Sequence, residues 1–121
     1  MSWARDLNKL ATKGGRDLET LTRVVKIKLF TGIVKLTRVD TGRLRGNWQM
    51  QESTRPTGVL ERVDKSGDIV GKEIMKASPD GVTLFVNNLP YAKPREEKDA
   101  MVGQTVSLVR REVRDEARKL V

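Results

Sequence analysis

The stretch LETLTRVVKIKLFTGIVKLTRVDTG, residues 18–42, decides the fold, because it predicts a long helix and the turn that ends it. Apolar residues in this stretch are spaced by three and four, which is typical of one face of a helix. They are Leu18, Leu21, Val25, Leu29, Gly32 and Leu36. We expect this stripe to face the core.

A second apolar stripe lies on nearly the opposite side of the same helix. It consists of Ile27, Phe30 and Val34. A helix that is apolar on two sides is usually buried on both, either between layers of its own fold or between its fold and another subunit. The second alternative makes Ile27, Phe30 and Val34 a subunit interface.

The helical pattern extends from Ser2 to about Val39 and is interrupted at Gly14-Gly15. Paired glycines cost roughly 1 kcal/mol each relative to alanine inside a helix, so one bent helix or two separate helices would fit. Asp40-Thr41-Gly42 should stop the helix, because aspartate bonds to nearby backbone and glycine accepts positive φ.

Beyond this turn the pattern changes to strands and loops. Alternation over Leu44–Ser53 predicts a strand with Trp48 facing inward, followed by a loop over residues 54–60. Val70 and Ile74 suggest a short helix within residues 66–77. Ser78–Gly81 reads as a turn.

The best strand prediction in the chain is 82–87, with Val82, Leu84 and Val86 on one face. We expect it to pair with the first strand in antiparallel fashion. A final amphipathic helix is predicted from about Asp99 to the end of the chain, on the spacing of Val102, Val106, Val109, Val113, Ala117 and Leu120.

These elements predict an α+β fold, in which a long N-terminal helix and a C-terminal helix pack on a small antiparallel sheet. The chain of 121 residues is expected to form a single domain over 1–121. Its parts are a helical region over 1–39, strands, loops and a short helix over 44–98, and the C-terminal helix over 99–121.

The net charge of +8 lies almost entirely in the first half of the chain. Residues 1–58 hold twelve Lys and Arg against five Asp and Glu, whereas residues 59–121 hold twelve against eleven. Such a surface attracts phosphate without reading bases, and the alternative is a solvated charged face that aids solubility. The predicted DNA-facing residues are Lys26, Lys28, Lys35, Arg38, Arg43 and Arg45.

The chain has no cysteine and no histidine. Their absence removes Cys-His and Ser-His-Asp nucleophiles and His-based zinc sites, so we expect no enzyme activity, no metal and no cofactor. Glu96, Glu97 and Asp99 could hold a cation, but ion pairs with Lys93, Arg95 and Lys98 are the favoured alternative. No apolar run approaches the length of a membrane span.

Three segments resemble the neck or tail-completion proteins of long-tailed bacteriophages when taken in order. They are VDTGRLRGNWQ (residues 39–49), DKSG (64–67) and NNLPYA (87–92). The matching residues are Asp40, Thr41, Gly42, Leu44, Arg45, Trp48, Asn87, Pro90, Tyr91 and Ala92. The resemblance covers roughly residues 15–121. After Tyr-Ala the chain reads KPREEKDAMVGQ, without the Gly and Gln-Ala-Pro positions that family members commonly have.

The resemblance implies a structural virion protein of the head-tail neck or tail end, assembled in the host cytoplasm and located in the virion. It implies a six-fold homo-oligomeric ring around the DNA path, with neighbouring connector and tail proteins as partners, possible non-specific contact with packaged DNA, and no membrane. The alternative function is that of a small, basic, sequence-independent nucleic-acid-binding protein.

The turn at 87–92 fits this reading. Asn87-Asn88 bends the strand end, Pro90 fixes φ, and Tyr91 buries its ring. We expect the turn to aim the following loop at another subunit, so that Pro90 and Tyr91 join the interface. An ordinary strand-to-helix connection with Tyr91 in the core is the alternative.

Overall fold

The computed structural model describes residues 3–120, and the predicted helix start at Ser2 and the predicted helix end at Val121 lie outside them. The chain forms α1 (Trp3–Thr12), α2 (Leu18–Leu36), α3 (Arg43–Gly46), β1 (Trp48–Glu52), α4 (Asp68–Ile74), β2 (Thr83–Asn87), α5 (Ala92–Asp99) and α6 (Met101–Arg118). The predicted α+β class is confirmed, and so is the antiparallel pairing of β1 with β2.

The break at Gly14-Gly15 separates two helices. A side chain at Gly14 would collide with the carbonyl oxygen of Leu10, 2.5 Å away, and Gly15 has φ of +67°. Asp17 then begins α2, because its carboxylate accepts hydrogen bonds from the backbone amide (3.2 Å) and the hydroxyl (2.8 Å) of Thr20. These bonds hold the pKa of Asp17 below its usual value.

The first and last helices pack together on one side of α2. A cluster of buried residues joins the three helices and consists of Leu10, Leu21, Val109, Val113 and Ala117. The C-terminal helix therefore packs mainly on α1 and α2. Its first residues, Met101 and Val102, extend to the core near the sheet.

The opposite side of α2 packs on the sheet and α4. The core here contains Phe30, Ile33, Val34, Trp48, Val70, Ile74 and Met101. The Phe85 ring lies between two others, stacked on Phe30 (centroids 4.5 Å apart) and on Trp48 (5.0 Å). Trp48 also donates from Nε1 to the buried Thr37 hydroxyl at 2.9 Å, so its predicted inward position is confirmed.

The second stripe of α2 therefore belongs to the chain's own core. Phe30 is 8% exposed and Val34 is 5% exposed, while Ile27 packs half-buried against the same cluster. The prediction of a subunit interface is wrong for Phe30 and Val34, because the sheet and α4 already cover them, and it stays a prediction for the half-buried Ile27. Both ends of the first stripe, Leu18 and Leu36, are exposed instead.

Several boundaries differ from the prediction. Helix α2 ends at Leu36 and not at Val39, and α3 occupies the first residues of the predicted strand. The short helix α4 is confirmed, with Val70 and Ile74 buried. Helix α5 replaces the loop expected before residue 99, and Ala100 separates it from α6 by adopting φ of +50°.

The predicted face of the second strand points away from the core. Val82 lies just before β2 and is exposed, whereas Leu84 and Val86 are half-buried. Phe85, on the other face of the strand, makes the stacked contacts with the core. The alternation is therefore as predicted, but the aromatic residue marks the inner face.

Candidate interaction surface at the Asp40-Thr41-Gly42 turn

The turn that ends the α2 region depends on a glycine in the left-handed region. Gly42 has φ of +88°, as the sequence predicted. A Cβ atom at this position would lie 2.7 Å from Lys65 Cγ and 2.9 Å from both the Lys65 nitrogen and Val63 Cγ1. No other residue type fits both the dihedral angle and the space.

The turn is hydrogen-bonded to the Asp64–Gly67 segment. The carbonyl oxygen of Gly42 accepts from the backbone amide of Asp64 at 2.9 Å. The buried carboxylate of Asp64 accepts from the amides of Gly67 (3.1 Å) and Val70 (2.9 Å) at the start of α4. Asp64 therefore joins the turn to α4.

The turn region is also bonded to the segment that follows β2. Asn87 donates from Nδ2 to the carbonyl oxygen of Leu44 at 2.8 Å, and its Oδ1 accepts from the amide of Leu89 at 3.2 Å. Leu44, Leu89 and Ala92 form a small buried cluster. The three segments that carry the family resemblance thus meet in one part of the molecule.

A concave surface of about 620 Å³ opens beside this junction. It is lined by Arg38, Val39, Asp40, Thr41, Gly42, Arg43, Leu44, Tyr91 and Arg95. We call it the Tyr91 surface. Tyr91 is 40% exposed, so the alternative that places it in the core is wrong, whereas its place in a subunit interface stays a prediction. Pro90 is exposed beside it, whereas Ala92 is buried.

Two of the arginines on the Tyr91 surface already have acidic neighbours. Arg95 binds Asp99 through Nε (3.1 Å) and Nη2 (2.6 Å), and Arg43 lies 3.9 Å from the well-exposed Glu61. Arg38 is exposed. Arginine and tyrosine are enriched at protein interfaces, and arginine binds carboxylates through paired hydrogen bonds. The surface therefore combines an exposed aromatic ring with guanidinium groups, two residue types that are favoured at protein interfaces.

Two residues predicted to face DNA have internal roles instead. Lys26 donates from Nζ to the Ser78 carbonyl and to the Thr83 hydroxyl, both at 2.9 Å, and more weakly to the carbonyls of Asp80 and Gly81. Its charge holds the 78–81 turn against α2, because backbone carbonyls converge on it. The prediction for Lys26 is wrong.

Arg45 likewise binds the chain's own backbone. Its guanidinium donates to the carbonyls of Thr37 (3.0 Å), Lys65 (2.8 Å) and Lys35 (3.1 Å). It thereby satisfies carbonyls at the end of α2. Arg45 is not available to DNA.

The other predicted basic residues remain at the surface. Lys28 lies 3.4 Å from Glu112 of α6 in an exposed ion pair, which is worth little in water. Lys35, Arg38 and Arg43 are exposed. Of the six residues predicted to face DNA, those placed to contact phosphate are therefore Lys35, Arg38 and Arg43, at or just after the end of α2.

Two of the three acidic residues of α5, Glu96 and Asp99, bind other parts of the chain. Arg95 pairs with Asp99, as the ion-pair alternative predicted. Glu96 accepts hydrogen bonds from the amides of Val102 (2.8 Å) and Gly103 (3.1 Å) and thus caps α6. Within residues 3–120 no cluster of acidic side chains is arranged to hold a metal ion. None of the helices in this range could cross a membrane.

Glu52 binds two of the residues that Lys26 also binds, Ser78 and Thr83, and it should make the stability of the fold depend on pH. Its carboxylate accepts from the Thr83 hydroxyl (2.5 Å) and the Ser78 amide (3.1 Å). The Thr83 bond, the Ser78 amide and the Lys26 charge hold the pKa of Glu52 below its usual value. A lowered folded-state pKa adds stability above the unfolded-state pKa of about 4.3, and this stability is lost as the pH falls through the folded-state pKa.

Glu52→Gln should therefore reduce the loss of stability on acidification between about pH 6 and pH 3, measured by urea unfolding at each pH. Glu97→Gln, at an exposed site on α5, is the control and should keep the wild-type slope. If Glu52→Gln and the wild type lost stability in parallel, the Glu52 contacts would not be formed in solution.

Comparison of this chain with protein-family models, curated proteins and solved structures gives no match.

Proposed function

We propose that this chain is a structural protein of the head-tail neck or tail end of a long-tailed bacteriophage. In this role it is a subunit of a ring around the DNA path, helps to join head and tail, and has no chemistry of its own. The observation that carries the proposal is the junction of the three resembling segments. They lie far apart in sequence, yet Gly42, Asp64 and Asn87 link them through hydrogen bonds.

The Tyr91 surface is the proposed contact to the neighbouring subunit or neck protein. An exposed tyrosine flanked by arginines supplies a rigid apolar ring and charges that pair with carboxylates. In a ring this contact is heterologous, since the Tyr91 surface of one subunit meets a different surface of the next. The proposed ring is six-fold to match a tail tube, with connector and tail proteins on its two faces.

Contact with packaged DNA is part of the proposal only for the basic residues that remain at the surface. Lys35, which is exposed and does not line the Tyr91 surface, could neutralise phosphates without reading bases, whereas Arg38 and Arg43 belong to the proposed protein contact. The alternative function, an independent nucleic-acid-binding protein, rests on net charge. The internal roles of Lys26 and Arg45 remove two of its six predicted contacts, so we do not favour it.

Tyr91→Ala tests the proposed function. We expect the variant to fold with an unchanged melting temperature, because the side chain is exposed. Supplied in trans to a phage that lacks this gene, it should leave separate heads and tails, visible by electron microscopy. Met75→Ala, which truncates another exposed apolar side chain, should restore joined particles.

Two results would contradict the proposal. One is full infectivity with Tyr91→Ala, which would show that the Tyr91 surface makes no necessary contact. The other is absence of the protein from purified particles and from their assembly intermediates, which would exclude a structural role altogether.

A further inference from the structure

Helix α6 carries a line of arginines on the side that faces away from the rest of the chain. Its buried residues are spaced by four from Met101 to Ala117 and lie on one side. At about 100° per residue, the positions opposite them are spaced by three and four, and all are exposed or half-buried. These positions are Gln104, Ser107, Arg111, Arg114 and Arg118. We call them the α6 stripe.

The charges of α6 are sorted by side. Glu112 pairs with Lys28 of α2 at 3.4 Å, and Glu116 pairs with Lys119 at 3.0 Å. Both glutamates also line a depression that α6 shares with α2. The glutamates therefore lie toward α2 and are paired with cations there, whereas the arginines of the stripe point outward.

The arginines of the α6 stripe are not held by the fold. Within residues 3–120, Arg111 and Arg118 make no hydrogen bond or ion pair. Arg114 lies 4.0 Å from the carboxylate of Asp115, and its buried Nε has no hydrogen-bond partner in the same range. By contrast, Arg45 binds three carbonyls of its own chain. The guanidinium groups of the stripe are therefore available to an external anion.

The spacing of these arginines fits the phosphate backbone of a nucleic acid. Arg111 and Arg118 are separated by about 10.5 Å along the helix, at about 1.5 Å per residue. Double-stranded DNA carries one negative charge per ~1.7 Å of its axis, so a stripe of this length lies against several phosphates. Arginine, serine and glutamine, the residue types of the stripe, all bind phosphate oxygens in protein–DNA complexes.

The α6 stripe lacks the apolar centre of a protein interface. The buried core of such an interface is apolar and depleted of charge, whereas all members of the stripe are polar. The exposed Leu108 lies instead on the α2 side of α6, where it lines a groove with Leu36 and Ile27. A phosphate backbone needs no apolar contact, so it fits the stripe better than another protein does.

We propose that the α6 stripe binds the phosphate backbone of double-stranded DNA, with Arg111, Arg114 and Arg118 as the contacts. The binding is independent of sequence, because phosphate contacts read no bases. These arginines lie outside the set that the sequence predicted to face DNA. The stripe and the Tyr91 surface share no residue, so this inference does not rest on the proposed function.

Fluorescence anisotropy with a labelled DNA duplex of mixed sequence tests the wild-type protein. Three phosphate contacts give a slope of about −2.7 for the logarithm of the association constant against the logarithm of the salt concentration. The affinity should therefore fall about 40-fold between roughly 50 and 200 mM salt. A second duplex of unrelated sequence should bind equally well.

Arg111→Gln combined with Arg118→Gln should bring the slope to about −0.9, because one contact remains. Both side chains are exposed, so the melting temperature should not change. The matched control combines Arg55→Gln with Lys72→Gln, at exposed sites outside α6. It removes the same net charge and should keep the wild-type slope. Tyr91→Ala should also keep it, which separates a failure of this inference from a failure of the proposed function.

Three results would overturn the proposal. An equal loss of affinity in the two double variants would show that net charge, and not the α6 stripe, drives binding. No binding of the wild type at low salt, or a strong preference for one duplex sequence, would contradict a phosphate contact at this stripe. Displacement of the duplex by poly-glutamate at equal charge concentration would show that the stripe accepts an acidic protein as readily as DNA.

Discussion

Phe30→Glu is expected to unfold the chain. Phe30 is 8% exposed and stacks on Phe85 in the core between α2 and the sheet. Removing a buried phenylalanine costs about 3–5 kcal/mol, and a buried, unpaired carboxylate adds a further penalty. The total approaches the whole stability of a typical domain, about 5–15 kcal/mol.

Circular dichroism and thermal melting would measure the effect, with Val24→Glu as the control. Val24 lies on the same helix and is exposed, so this substitution introduces the same charge and should change stability by less than about 1 kcal/mol. A Phe30→Glu protein that melts cooperatively near the wild-type temperature would mean that the second stripe of α2 faces outward after all.

Gly42→Val should be the most damaging single change at a turn. Valine at φ of +88° is strained, and its Cβ would lie within 2.9 Å of backbone and side-chain atoms of Lys65 and Val63. Left-handed strain alone costs about 1–3 kcal/mol for a non-glycine residue. Because the turn also holds the Asp64 amide, we expect a loss of about 3–5 kcal/mol in the free energy of unfolding.

Gly103→Ala is the matched control, because Gly103 lies inside α6. A Cβ there meets only Glu96 Oε2 at 3.7 Å and Ala100 Cβ at 3.9 Å, which are ordinary contacts. Alanine should stabilise the helix by up to about 1 kcal/mol. Equal urea midpoints for Gly42→Val and the wild type would show that the turn adopts another conformation in solution.

The sequence predicted elements whose pattern is local. The break at Gly14-Gly15, the positive φ at Gly42 and the inward position of Trp48 all follow from residue type and spacing. Helix α5 was missed because Ala92 is its only buried residue, so it has no apolar periodicity. Its Pro94 also suggests a loop, although proline is tolerated in the first turn of a helix.

The features that the sequence could not predict depend on contacts between segments that are distant in the chain. Two apolar stripes on α2 do not reveal whether the second is covered by the same chain, since that depends on where the sheet and α4 pack. In the sequence, nothing distinguishes Lys26 and Arg45 from charged residues at the surface. Most of their acceptors are backbone carbonyls, which carry no signal in the sequence, and several lie far along the chain, as Ser78 and Lys65 do. The meeting of the three resembling segments is likewise visible only in the fold.

The packing of α6 against α1 and α2 sets an order of events during synthesis. Leu21 leaves the ribosome early, but its partners Val109 and Val113 are made last. Roughly 90 residues separate Leu21 from these partners, and the ribosome adds about 5–20 residues per second. This face of α2 therefore stays uncovered for about 4–18 s. Contacts of such wide separation also slow folding. The nascent chain should therefore be a chaperone client until α6 emerges, and a ribosome stalled before residue 101 should carry a chain that proteases readily cleave.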